Sequence, residues 1–86
     1  MKEVALKQAK TIASNIRKLR EYRDYTQDYL AAKLNISQNA YSKIELGYSR
    51  ITLERLFVIS SVLEIKPADL ISMEREELIG LVNFNN

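Results

Sequence analysis

The 86-residue sequence has no cysteine, no histidine and no tryptophan, only two glycines and a single proline. Without cysteine there is no disulfide, no thiolate metal site and no thiol nucleophile. Without histidine the commonest general base and metal ligand is missing as well. No apolar run approaches the roughly 20 residues of a membrane span. The N-terminal MKEVALKQAK puts charges where a secretion signal needs an apolar stretch. A cysteine-free chain suits a reducing, cytoplasmic setting. Scarce glycine and proline favour helices with short connections. With no paired-carboxylate cleft visible in the pattern either, the chain is expected to hold no metal and no cofactor and not to be an enzyme.

What is present suffices for a folded unit. The length exceeds that at which chains usually need metal or disulfide staples, and a hydrophobic content of 47% supports a compact core. The net charge of +2 is unevenly spread: residues 1–24 carry +4, residues 25–50 carry +1 and residues 51–86 carry −3. A basic N-terminal part suits phosphate contact, and an acidic C-terminal part is expected to face away from a polyanion.

The most informative stretch is 26–47, TQDYLAAKLNISQNAYSKIELG. Thr26 is a good N-cap, Asp28 lies near the positive end of a helix dipole, and Leu30, Ala31 and Leu34 follow the rhythm of one buried face. Asn35 tolerates the left-handed conformation that ends such a helix. Ser37 caps a second helix and Gly47 stops it. Tyr41 and Ile44 face inward from that helix, with the Tyr41 hydroxyl expected near the surface. Gln38, Asn39, Ser42 and Lys43 then occupy its outer face. Two short helices in this arrangement, with amides and a cation on the second, read as a DNA-binding helix-turn-helix.

The stretch resembles the phage repressor and Cro family of helix-turn-helix regulators, also called the xenobiotic-response-element family, which is bacterial or phage in occurrence. The resemblance rests on Thr26-Gln27, Leu30-Ala31, Ile36-Ser37 and Ile44-Glu45-Leu46-Gly47. It extends upstream to Ile16-Arg17-Lys18-Leu19-Arg20, and downstream through Leu53-Glu54-Arg55-Leu56 and Leu63-Glu64-Ile65 to Asp69-Leu70-Ile71. It implies an all-α, five-helix lambda-repressor-like domain over residues 1–72. It also implies that Arg20 and Glu45 form a structural ion pair, and that Gln27 sits at the phosphate backbone and supports Gln38. The DNA-contacting set it points to is Gln27, Ser37, Gln38, Asn39, Ser42, Lys43, Tyr48 and Arg50. Gln38 and Asn39 suit adenine edges, and Lys43 suits guanine or phosphate. The loop after the second motif helix departs from the family: Tyr48 and Leu46 stand where relatives are often basic, leaving Arg50 as the one cation.

Residues 3–23 read as one helix through Ala5, Ala9, Ile12, Ala13, Ile16 and Leu19. That helix starts earlier than is usual in the family, so residues 1–11 are either its extension or a separate basic arm. Asp24 or Tyr25 stands where relatives often carry glycine. Thr52 caps a further helix with Leu53, Leu56, Ile59, Ser60 and Leu63 inward and Phe57, Val58 and Val62 as additional apolar surface. Pro67 opens a short last helix. The tail, residues 73–86, carries Glu74, Glu76 and Glu77 before Leu78, Ile79, Leu81, Val82 and Phe84; helix and strand both remain open. With Phe57 and Val58, these five apolar residues are expected to form a dimer contact, unless they fold back on the bundle.

The reading is thus a sequence-specific duplex-DNA-binding repressor acting as a homodimer on an inverted repeat. The competing reading is an antitoxin-like or restriction-controller protein. Such a protein would bind a partner, such as a toxin, through its C-terminal apolar surface as well as its own promoter.

Overall fold

A computed structural model describes residues 1–72. Among the described residues five helices follow one another: α1 (Lys2–Tyr22), α2 (Gln27–Leu34), α3 (Gln38–Glu45), α4 (Leu53–Leu63) and α5 (Pro67–Ser72). The described residues contain no strand, and no helix among them is long and apolar enough to cross a membrane. The all-α, five-helix architecture expected from the sequence is the one observed. The expected tail contacts, Leu78, Ile79, Leu81, Val82 and Phe84, lie outside the described residues.

The helices start as the sequence indicates. Thr26, Ser37 and Thr52 each hold an extended backbone, and each side-chain oxygen accepts a hydrogen bond from the backbone N–H three residues on. Their ends are more uniform than the sequence suggests. After each of the first four helices, one residue has positive φ: Asp24 at 60°, Asn35 at 58°, Gly47 at 79° and Glu64 at 57°. Each N–H there bonds back to the carbonyl three residues earlier. The next residue, Tyr25, Ile36, Tyr48 or Ile65, bonds to the carbonyl five earlier. This is the Schellman arrangement, which satisfies carbonyls that a helix end otherwise leaves bare. Only one of the four positions is glycine, so Asp24, not Tyr25, takes the place where relatives carry it. The residue following each left-handed one is apolar, and three of the four (Tyr25, Ile36 and Ile65) pack on the core. Tyr48 instead points out, with 79% of its surface exposed.

The core gathers Ile16 and Leu19 of α1, Leu30 and Ala31 of α2, Tyr41 of α3, Leu56, Ile59 and Leu63 of α4, and Leu70 of α5. Buried Asn15 donates from Nδ2 to the Leu70 carbonyl at 3.1 Å and fastens α5 to α1. Arg23 donates from Nε to the Leu63 carbonyl at 3.1 Å, giving the end of α4 a cationic cap supplied by α1.

Four expectations are corrected. Ala5 and Ala9 are exposed, because burial on α1 begins only at Ile12. Leu53 is exposed; as the first residue of α4 it sits at the rim of an open groove rather than over the core. Val62 is not spare surface but packs against the core cluster. The Tyr41 side chain is wholly buried, hydroxyl included, because that hydroxyl has a partner within the fold.

A glutamate held left-handed bears a steric cost that glycine avoids, and Glu64 is exposed enough to be replaced without opening the core. Glu64→Gly is therefore expected to raise stability by about 0.5–1 kcal/mol in urea unfolding. A loss of stability would mean that its backbone strain is offset by contacts at α1.

Candidate functional site

The site is built around one buried carboxylate. Glu45, the last residue of α3, keeps only 2% of its side chain exposed. Arg20 of α1 meets it at two points, Nε to Oε2 at 2.6 Å and Nη2 to Oε1 at 3.1 Å. Gln27, the first residue of α2, donates from Nε2 to Oε1 at 3.1 Å. Tyr41, one turn back on α3, donates its hydroxyl to Oε2 at 2.5 Å. Four donors thus match the four acceptor positions of a carboxylate. The third Arg20 nitrogen, Nη1, donates to the Tyr25 carbonyl in the α1–α2 turn at 2.9 Å. No buried side-chain polar atom is left unpaired among the described residues.

This network fixes protonation as well as position. Burial pushes the Tyr41 hydroxyl well above its ordinary range, and its bond to Glu45 pushes further in the same direction, so it remains a donor. The hydrogen bond to Glu45 likewise raises Arg20. A two-point arginine–carboxylate pair fixes orientation as well as distance. Here it sets α3 against α1 while Gln27 sets α2 against the same carboxylate.

With its inner face so held, α3 turns its other face outward. Gln38, Asn39 and Lys43 are exposed and Ser42 is half-buried. Ser37 is exposed but uses a lone pair to cap α3, accepting from the Ala40 N–H at 3.1 Å, so its hydroxyl hydrogen is what it can offer an anion. Tyr48 and Arg50, in the loop after α3, are exposed. Gln27 is half-buried at the start of α2. Its amide nitrogen is directed at Glu45, because the carboxylate needs a donor there. One hydrogen of that amide is thereby committed inside the network.

The basic character of the N-terminal part is also distributed differently from its count. Arg17 and Lys18 pair with Glu21 at 3.3 and 3.6 Å, Arg20 pairs with Glu45, and Arg23 lies 3.8 Å from Glu64. The four cations just upstream of the motif are thus each placed beside a carboxylate within the fold. Lys43 and Arg50, at the outer face and its loop, make no ion pair among the described residues. Besides the Gln27–Glu45 bond, two features of the site were not read from the sequence. Tyr41 as a donor to Glu45 could have been, since a spacing of four puts both on one helix face. The cap that Arg23 places on α4 spans 40 residues and leaves no local signal.

Comparison with known proteins agrees with this geometry. A family model described as helix-turn-helix matches residues 16–70, more than half of the chain. No curated protein and no solved structure matches it.

Removing one partner of the pair strands the other charge. Arg20→Ala is expected to cost roughly 3–5 kcal/mol in chemical denaturation, the scale of a broken buried pair. A cost below about 1 kcal/mol, the scale of an exposed pair, would contradict the central place given to this network.

Proposed function

The chain belongs to the helix-turn-helix family of DNA-binding regulators, and from that premise we propose that it is a sequence-specific repressor that binds an inverted-repeat operator as a homodimer. The observation that carries this reading is the outward face of α3. Two side-chain amides and a cation with no ion pair among the described residues (Gln38, Asn39 and Lys43) stand exposed on a helix whose other face is locked in place. Glutamine and asparagine can each make a paired hydrogen bond to an adenine edge in the major groove, and lysine reaches guanine or phosphate. Ser42 adds an adaptable hydroxyl.

Backbone contacts surround that face. The remaining amide hydrogen of Gln27, the Ser37 hydroxyl, the Tyr48 hydroxyl and Arg50 serve as phosphate donors that set register without reading sequence. The loop carries a single cation, so nonspecific affinity should be modest, since phosphate neutralisation supplies most of that term.

Dimerisation places two α3 helices about one helical turn apart, ~34 Å, over a two-fold site. Phe57 and Val58 on α4 are 54% and 39% exposed, and this apolar surface supports their assignment to the contact. The apolar tail residues, Leu78, Ile79, Leu81, Val82 and Phe84, complete it in this proposal. A bound dimer in the cytoplasm then represses by occupying promoter DNA that polymerase needs.

Gln38→Ala separates base reading from backbone attraction. Against a cognate duplex it should lose about 1–3 kcal/mol of discrimination over unrelated duplex, with nonspecific affinity nearly unchanged. Equal weakening on both duplexes, read by fluorescence anisotropy, would count against base reading by α3.

A further inference from the structure

The family match begins at residue 16, yet α1 is helical from Lys2. Its first turn has no side-chain cap, and residues 2–11 are exposed, so core packing does not account for this extension. It is not an arm pointing away from the site. It runs beside the segment that leaves α3. Lys10 Cγ lies 3.4 Å from where a Cβ on Gly47 would stand, and the Lys10 Cα lies 4.0 Å from the same point. Leu6 and Ala9 line a groove together with Tyr48, Arg50 and Leu53. The extension and the loop that carries Arg50 are therefore neighbours.

The Lys10 Cγ lies against the open side of Gly47, and Lys10 as a residue is exposed; a lysine so placed can rest its stem on the backbone and keep its charge in water. Among the described residues it makes no ion pair. In this it differs from Arg17, Lys18, Arg20 and Arg23, all of which face carboxylates. Lys10 lies beside Gly47, Lys43 is one turn earlier on α3 and Arg50 is in the loop that follows; none of the three makes an ion pair among the described residues. The loop itself is short of charge, with Leu46 and Tyr48 both exposed and apolar in bulk.

We propose that Lys10 is a DNA-phosphate contact, and that the N-terminal extension of α1 enlarges the footprint by one backbone position beside that of Arg50. The extension supplies from α1 the positive charge that the loop lacks. This inference rests on the DNA-binding reading above.

The test is binding of the full chain to a fluorescein-labelled duplex of unrelated sequence across a salt series. Lys10→Ala should lower the slope of log affinity against log salt by about 0.9 and weaken binding roughly five- to tenfold at about 0.1 M salt. Lys10→Arg should keep both at parental values. Lys66→Ala, an exposed cation entering α5, serves as the comparison and should leave the slope unchanged. An unaltered slope in Lys10→Ala would overturn the proposal. An equal effect in Lys66→Ala would also overturn it, because net charge alone would then be responsible. Thermal melting of each variant confirms that the fold is retained. If the parent chain shows no salt-dependent duplex binding, the DNA-binding reading itself fails, and this contact with it.

Discussion

The Glu45 carboxylate is the point on which the arrangement of the first three helices depends. A carboxylate so deeply placed is costly unless every acceptor position is filled. Here the four are filled by three side chains from three helices: two by Arg20 on α1, one by Gln27 at the start of α2, and one by Tyr41 on α3 itself. The requirement works in both directions. The charge needs all four donors, and meeting that need fixes the angle at which α3 leaves the bundle. A purely apolar contact at this spot would hold the helices together but would leave α3 freer to rotate about its axis. For a helix proposed to match its outward face against base edges, rotation is the error that matters most.

Around that fixed point, charge is sorted by use. Arg17, Lys18, Arg20 and Arg23 are placed beside carboxylates at Glu21, Glu45 and Glu64. The cations at the end of α3, in its loop and at Lys10 remain available to solvent. Net charge therefore says little about where a polyanion would bind, and the pattern of pairing says more. The same sorting applies to apolar residues that follow helix ends. Tyr25, Ile36 and Ile65 turn back into the core, whereas Tyr48, in the equivalent position after α3, stays in water. Its exposure falls at the edge of the outward face.

Much of this was legible in the sequence, and the limits have physical causes. The helix starts were readable because Thr26, Ser37 and Thr52 act locally, through one side chain and a backbone N–H three residues on. The helix ends were readable at Asn35 and Gly47, whose residue types suit left-handed backbone. They were hidden at Glu64, where tertiary packing imposes the conformation on a residue with no preference for it. The inner face of α1 was correctly periodic but too long, since periodicity shows which side could be buried and not how far neighbouring helices reach; burial stops at Ile12. The Arg20–Glu45 pair was implied by family resemblance, while the diversion of the Gln27 amide into the same network was not. That diversion follows from the carboxylate's unmet acceptor capacity, which appears only once the side chains are brought together.

The most direct measurement is selection from a pool of randomised duplexes with the purified protein, followed by sequencing. If α3 reads bases from its fixed position and the protein acts as a dimer, an inverted repeat should be enriched, with half-sites about one helical turn, ~34 Å, apart. Binding that enriches no sequence and vanishes at moderate salt would contradict the account, leaving only backbone attraction where base reading is claimed.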